Sequence, residues 1–424
     1  MSELPVDGRV RLAWLANRAE GRATLAAATA YFALLAGYYM LRSLREAYAL
    51  EVGREHIGTL FYVTTGVMLL VLPLYWFVVA RVPRNRLFQV IYASVALLFI
   101  GLATGLRIAP GNRLLAGSYF VAVTSLNLFL VTVFWSVMVD AWKSGSAKRL
   151  FGFIAAGGSA GAIAGPLFNS LFVERLGPSA VIFIACGLLL LAIVCGRHAQ
   201  AAHLGFAGGD HTLEHAVGGR ARDDLRRLLT SPYLLGIAAM IVAGQVLGGF
   251  MYQEQARYVE AAYATLAERA ALFARIDFGV SVLALVLQAG LVGWLAARGG
   301  MRLALGLVPM LLIGSLVLLA LLPVGAVLLG TQVFRRAVDY GLFKPTREML
   351  FTVLNPESKF KSKSLIDTLL QRGGDSAGQA AYGFVSGLGL AGVAWACAAV
   401  SALMLALALW LGASFGRAEQ REPP

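Results

Sequence analysis

Long uninterrupted runs of apolar residues constrain the fold of this chain more than any other feature of its sequence. The windows from Ile57 to Ala80 and from Ser179 to Gly196 contain no charged side chain, and each approaches the roughly 20 residues that a helix needs to cross hydrocarbon. Only 14% of all residues are charged, against about 25% in soluble domains. Strands of a membrane barrel would alternate apolar and polar residues, which these windows do not. The sequence therefore predicts an all-α polytopic membrane protein.

The apolar windows predict about 12 transmembrane helices in two sets of six. The expected spans are 24–42, 57–80, 87–107, 114–138, 152–172, 179–197, 232–252, 276–297, 302–322, 326–343, 365–386 and 391–413. They divide the chain into an N-terminal half (1–197) and a C-terminal half (231–424). The segment 198–230 between them is rich in Gly, Ala, His and Arg, so we expect a cytoplasmic linker there.

The positions of Lys and Arg predict the orientation in the membrane. Placing both termini in the cytoplasm puts most basic residues of the loops on the inside, as the positive-inside rule requires. The N-terminus, Met1 to Glu20, lacks the short apolar core and cleavage site of a secretory signal. We therefore expect a multi-pass protein of the bacterial inner membrane. The net charge of +13 is scattered over short loops, so no nucleic-acid partner is predicted.

The loop after the eighth predicted span resembles the cytoplasmic signature of the major facilitator superfamily. It runs from Gly293 to Arg302 as GWLAARGGMR, with Ala297 where the signature has Asp. The equivalent loop of the first half, Ala80 to Arg86, keeps only the basic residues. The resemblance implies two pseudo-symmetric halves that rock around a site at the bilayer midplane. We expect Arg298 and Arg302 to govern gating rather than substrate binding.

The fifth predicted span contains Gly161 and Gly165, followed by Pro166. Small residues four apart allow helices to approach closely, and the proline permits a bend. The spacing also resembles a glycine and proline motif in the fifth helix of facilitator-type antiporters. Both interpretations stay open at this point.

Charged residues inside the predicted spans mark the candidate transport site. A charge in hydrocarbon costs about 2.5 to 3.5 kcal/mol on insertion scales, so it usually faces a cavity or a partner. Candidate substrate contacts are Arg335, Arg336, Arg42, Arg45, Arg372, Gln332 and Tyr38. Candidate coupling or gating residues are Asp140, Asp277, Asp339, Asp375, Arg298 and Arg302. Alternatively, ion pairs such as Arg335 with Asp339 or Arg372 with Asp375 only lock helices together.

Five intramembrane arginines favour a small anionic substrate, because a planar guanidinium binds phosphate or carboxylate with two hydrogen bonds. Arg335 and Arg336 are the first choice, since they accompany Gln332 and Asp339 at helical spacing in the tenth span. Arg42 and Arg45 lie near a predicted membrane end, where a long side chain can extend to the interface instead.

The end of the tenth span carries a more specific similarity. Tyr340 to Met349 reads YGLFKPTREM, and Leu354 to Lys363 reads LNPESKFKSK. This run resembles the nucleotide translocases that exchange ATP for ADP in plastids and intracellular bacteria, which carry Tyr-Ser-Leu-Phe-Asp-Pro-Thr-Lys-Glu-Met and a later Gly-Lys-Ser. Lys344 replaces the acidic residue, and Asp375 stands between Gly374 and Ser376. The resemblance implies a facilitator-like fold and an exchange transporter, with a nucleotide or an organic phosphate among the possible substrates.

Two alternative functions are compatible with parts of the sequence. A proton-coupled exporter of apolar or cationic compounds would use Asp140, Asp277 or Asp375 as its proton carrier. A membrane enzyme or lipid scramblase is less well supported, because the spans contain no GxSxG, HExxH or Cys and His cluster, and the chain has no Walker motif. The sequence thus predicts a transporter driven by gradients, with no enzyme activity and no cofactor. Its partners are the lipid bilayer and a small molecule, and its oligomeric state is not predicted.

Four histidines in the linker region could suggest a metal site. They are His198, His203, His211 and His215. The surrounding Gly and Ala supply no residues to orient metal ligands, so a solvated linker is the better interpretation and no metal is predicted.

Overall fold

The computed structural model describes residues 18–82, 84–141, 144–204, 231–292, 300–351 and 370–419, and every regular element in these ranges is helical. Most of the predicted linker, the loop signature with Arg298, and the Lys-rich run lie outside the described residues. Within the described ranges, nine helical stretches are long and apolar enough to cross a membrane. The predicted all-α polytopic class is confirmed.

Thirteen α-helices are described. They are α1 (Arg18–Val52), α2 (Ile57–Arg81), α3 (Arg84–Ile108), α4 (Arg113–Ala141), α5 (Ser144–Leu176), α6 (Pro178–Leu204), α7 (Pro232–Ala262), α8 (Leu266–Leu287), α9 (Gly300–Leu321), α10 (Gly325–Val338), α11 (Lys344–Met349), α12 (Gln371–Val385) and α13 (Gly389–Glu419). Two π-helical segments follow α8 (Gln288–Val292) and α10 (Asp339–Phe343). Each predicted span coincides with helix wherever its residues are described, apart from its ends.

Three helix boundaries differ from the predicted spans by ten residues: α1 ends at Val52 rather than 42, α7 ends at Ala262 rather than 252, and α8 begins at Leu266 rather than 276. Thr265 caps this helix: its hydroxyl accepts from the Glu268 backbone N–H, and the Glu268 carboxylate accepts from the Thr265 N–H. This reciprocal capping box fixes the helix start. Charged residues in the first turns lower the hydropathy there, so the apolar window begins later than the helix.

Large apolar side chains lie on the outside of the helices as well as in the interior. Leu70 is 76% exposed, Ile108 78% and Phe384 90%. In a soluble protein such side chains would contact water, whereas in a bilayer they contact lipid tails. The exposed surface therefore agrees with a membrane environment.

The chain forms two compact units. Unit 1 comprises Met1–Tyr48 and Met68–Thr212, and unit 2 comprises Ala49–Val67 and Leu213–Pro424. The interior of unit 1 is rich in fully buried aromatic rings, including Tyr92, Tyr119 and Phe134. Unit 2 has its own core, built mainly from aliphatic side chains of α7, α9, α10 and α13. The division into two six-helix halves stays a prediction.

Within unit 1, α5 packs directly against the backbone of α1. Four α5 residues spaced four apart face four α1 residues with the same spacing; the pairs are Gly157 with Ala28, Gly161 with Phe32, Gly165 with Ala36, and Asn169 with Met40. A Cβ atom on any of the three glycines would lie closer than 3.0 Å to an α1 carbonyl oxygen. Asn169 instead donates to the Met40 carbonyl at 2.8 Å. Close packing is therefore the structural use of Gly161 and Gly165.

Within unit 2, polar side chains join α7 to α12. Gln245 Nε2 donates to Asp375 Oδ1 at 2.8 Å, and Tyr382 Oη donates to Glu254 Oε1 at 2.6 Å. Between these bonds the helices touch at glycine, since a Cβ on Gly249 would lie 3.0 Å from the Gly378 backbone. These contacts hold α7 and α12 together beside the cavity described next.

Candidate functional site

A small cavity in unit 2 gathers three of its cationic side chains. Its polar lining consists of Gln245, Arg335, Asp339, Lys344, Arg347 and Gln371. Its apolar lining includes Ile241, Leu312 and Met404. Helices α7, α9, α10, α11, α12 and α13 all contribute, so the cavity lies inside the helix bundle of this unit. Arginine and lysine inside a membrane bundle usually mark a site for an ion or a polar substrate.

Arg335 is held in place by a chain of amide hydrogen bonds. Its Nε donates to Gln332 Oε1 at 3.0 Å. The Gln332 amide in turn donates to Gln255 Oε1 at 2.5 Å and to the Met251 carbonyl at 3.1 Å, both on α7. Gln332 is 1% exposed and does not line the cavity. Its contacts orient Arg335, and its role as a substrate contact stays a prediction.

The other two cavity cations have carboxylate neighbours. Lys344 Nζ lies 3.9 Å from Asp339 Oδ2 and 4.3 Å from the centre of the Tyr340 ring. Arg347 donates to Glu348 at 3.2 Å. Among the described residues, no carboxylate lies within 4.0 Å of Arg335. Arg335 therefore has no direct ion pair among the described residues, although the Asp339 carboxylate, one turn further on, acts on its charge.

Arg336 turns away from the cavity. Its Nη2 lies 2.5 Å from Asp277 Oδ1 on α8, and the Asp277 residue is only 2% exposed. Successive residues of an α-helix point about 100° apart, so Arg335 and Arg336 face different directions. The structure thus assigns the two arginines to different neighbours. Asp339, which could have paired with either of them, has its ion-pair contact with Lys344.

The cavity lining includes part of a π-helical segment, Asp339–Phe343. The other π segment lies beside it, because Gln288 Nε2 donates to the Tyr340 carbonyl at 3.1 Å. Gly341 allows this approach, since a Cβ there would lie 3.0 Å from the Leu287 side chain. The wider turn brings Asp339, Phe343 and Lys344 to the cavity, and π turns are frequent at functional sites. No sequence pattern indicated this turn.

Two further candidates lie on α12. Asp375 adjoins the cavity through Gln245, which lines it and donates to the Asp375 carboxylate. The side chain of Arg372 lies outside the described residues, so its predicted role stays a prediction. Gln371, one turn before Asp375, lines the cavity.

The candidates in the N-terminal part of the chain belong to unit 1. Arg45 pairs with Glu46 and donates to Thr124 Oγ1 at 3.3 Å. The Arg42 guanidinium lies 5.5 Å from the centre of the Tyr39 ring. Tyr38 is buried and contacts Tyr39 edge to face. The Asp140 side chain, like Arg298, falls outside the described residues.

Arg302 is exposed near the start of α9. Its backbone contacts α13 at Gly412, where an added Cβ would lie 2.7 Å from the Arg302 Cα. Its predicted gating role is not tested by this placement.

Sequence reasoning missed Lys344, Arg347 and Gln245 as cavity residues. Lys344 and Arg347 are three residues apart, and with Tyr340 they continue the helical spacing of the tenth span. That spacing was the available signal, but both residues follow the end of the apolar window. Gln245 is a single amide in an apolar helix and gives no periodic signal.

Comparison with known proteins also indicates a transporter. A family model described as TLC ATP/ADP transporter matches residues 305–416, a stretch that includes α10 to α12. No curated protein matches the chain.

Solved structures share its fold. A bacterial homologue of the iron transporter ferroportin in the inward-facing state has a TM-score of 0.62 at 14% identity, covering 94% of this chain and 99% of that one. The nucleoside transporter NupG has a TM-score of 0.59 at 12% identity, covering 93% and 99%. A POT family transporter in complex with a thioalcohol-conjugated peptide has a TM-score of 0.63 at 11% identity, covering 94% and 96%.

Proposed function

We propose that this chain, which has the fold of the major facilitator transporters and resembles ATP/ADP transporters over residues 305–416, carries a small anionic metabolite across the membrane by alternating access. The family match and the fold support transport as the general function. The anionic cargo, exchange or cotransport as the mode, and a bacterial inner membrane location are the finer parts of the proposal.

One observation supports the anionic cargo above all. Arg335 lines a cavity inside a membrane helix bundle, and among the described residues no carboxylate lies within ion-pair distance of it. A guanidinium in this setting is costly unless an anion or a strong hydrogen-bond acceptor meets it. Its planar geometry suits an oxyanion, which can accept two parallel hydrogen bonds. An anionic substrate therefore supplies the interaction that the protein itself leaves incomplete.

The Arg336–Asp277 pair has a different place in the proposal. The pair joins α10 to α8 inside unit 2 and is mostly buried. This burial favours a structural or gating role for the pair over direct substrate contact. Arg335 and Arg336 are adjacent on α10, and Arg336 pairs with Asp277 on α8. Substrate binding at Arg335 can therefore change how α10 packs on α8, provided that binding and the ion pair favour the same packing arrangement.

The proposal is tested by transport in proteoliposomes containing purified protein. Labelled carboxylates, phosphate esters and nucleotides are offered with and without counter-substrate inside the vesicles. Arg335→Gln is expected to remove most anion uptake, whereas Arg417→Gln, an exposed arginine near the end of α13, leaves it unchanged. Normal uptake by Arg335→Gln, or competition by neutral and cationic compounds alone, would overturn the anion proposal.

A proton-coupled exporter is the second candidate. The observation that favours it is Glu254, a carboxylate 2% exposed that accepts a hydrogen bond from Tyr382 at 2.6 Å. Buried carboxylates in membrane helices often carry protons in transporters. Proton movement that accompanies export of a cation, and that Glu254→Gln abolishes, would support this function instead.

A further inference from the structure

The charges around the cavity are more nearly balanced than the count of three cations indicates. Lys344 is beside Asp339 at 3.9 Å, and Arg347 is beside Glu348 at 3.2 Å. Asp375 adds another carboxylate next to Gln245. A carboxylate close to a cation reduces the attraction that the cation can offer to a ligand. Within the part of the chain that the structure describes, Arg335 has no carboxylate within 4.0 Å, although Asp339, four residues further on, also lines the cavity and acts on its charge.

The lining of the cavity is mixed in character. The amide groups of Gln245 and Gln371 accompany the charges in the lining, whereas Ile241, Leu312 and Met404 are apolar. A ligand with a single charged end and an apolar body can contact both kinds of side chain. A ligand carrying several charges would bring one of them against apolar side chains without a counterion, which is unfavourable.

From these two features we infer that the cavity selects a ligand with a singly charged oxyanion group, and that multiply charged anions such as nucleotides bind it poorly. The inference rests on the proposed function and narrows its substrate class. Arg335 attracts the anion. Asp339 sets the preference for a single charge, because its carboxylate lies close to Lys344 and offsets that cation. A carboxylate, a sulfonate and a phosphate ester carrying one charge share the required chemistry.

Competition for binding distinguishes these three kinds of anionic group. Purified protein is titrated with pairs of matched carbon skeleton: a monocarboxylate against a dicarboxylate, and a monosulfonate against a phosphate monoester. Phosphate monoesters change from one charge to two near pH 6. The monoester is expected to compete better at pH 5 than at pH 7.5, whereas the sulfonate, which keeps one charge, reports any effect of pH on the protein itself.

The expected result is that each monoanion competes about tenfold better than its dianion, which corresponds to roughly 1.4 kcal/mol. Equal or better competition by dianions or by ATP would overturn the inference. If Arg335→Gln still abolishes binding in that case, the proposed anion transport survives. If Arg335→Gln has no effect, both fail together.

A charge variant tests the assignment of Asp339. Asp339→Asn removes the carboxylate beside Lys344, so the cavity gains an available cation and the preference should move toward dianions by about tenfold. The matched control is Glu260→Gln, which removes a carboxylate paired with Arg54 in the same unit but away from the cavity lining. An unchanged ratio of monoanion to dianion affinity in Asp339→Asn, in protein that retains the wild-type unfolding temperature, would contradict the assignment.

Discussion

Arg335 and Arg336 are consecutive in the sequence but have different surroundings in the fold. Arg335 lies at the cavity and bonds to a neutral amide, whereas Arg336 pairs with Asp277. Both arginines and Asp277 could be identified as candidates from the sequence, because charges are rare in apolar windows. Their partners could not be assigned, since Arg336 and Asp277 are 59 residues apart and only the packing of α10 on α8 brings them together.

This difference leads to a prediction for single residues. Arg336→Gln should destabilise the protein by up to about 3–5 kcal/mol, because it removes one charged partner of the buried Asp277 carboxylate. Arg335→Gln should change stability far less, since no ion pair is lost. The measurement is the midpoint of thermal unfolding in detergent.

The double variant provides the control for this prediction. Arg336→Gln combined with Asp277→Asn should recover much of the lost stability, because neither charge is then left alone in the interior. Equal unfolding midpoints for Arg335→Gln and Arg336→Gln would show that the pair contributes nothing specific.

At the level of helices, the positions of most elements could be predicted and the details of their contacts could not. Apolar windows located the spans because crossing a membrane requires both length and hydrophobicity. The π turn at Asp339–Phe343 was not predicted, since it depends on how α10 packs on α8 at Gly341. The contact of the α5 glycines with α1 was only partly predicted. Close helix packing and the antiporter-like glycine and proline motif have the same residue spacing, so the sequence could not separate them.

The α5 glycines that contact α1 allow a matched pair of substitutions. Gly161→Leu should force α1 and α5 apart, because even a Cβ at this position would overlap the Phe32 carbonyl oxygen. Overpacking of this kind costs about 1–3 kcal/mol or more. Gly152→Leu, in the same helix, should be tolerated, because nothing lies within 4 Å of an added Cβ there. Unfolding temperature and yield after purification measure both.

An equal effect of the two substitutions would mean that leucine disturbs α5 itself rather than its contact with α1. Gly161→Ala gives an intermediate case. It adds only the Cβ, so a loss of stability from this change alone would locate the effect in the helix contact.

At the level of the whole molecule, composition was sufficient to predict a polytopic helical protein, and a short local run was sufficient to indicate the transporter class. The matched region, residues 305–416, includes the run at Tyr340 to Met349 on which the resemblance was based. The substrate could not be predicted, because it depends on which cations have carboxylate neighbours. Lys344 illustrates this point, since its contact with Asp339 is made by the π turn between them.

The orientation in the membrane is the remaining prediction for the whole chain. Most Lys and Arg of the loops lie on the side that carries the termini and the 198–230 linker, so these parts are expected in the cytoplasm. A reporter enzyme that is active only outside the cytoplasm should therefore be inactive when fused after Gly209 or at Pro424. It should be active after Gly111, between α3 and α4, and after Ala264, between α7 and α8. A fluorescent reporter that matures only in the cytoplasm should give the opposite pattern at the same four positions. Activity of the first reporter at Gly209 would reverse the orientation, and with it the expectation that the Arg302 loop faces the cytoplasm.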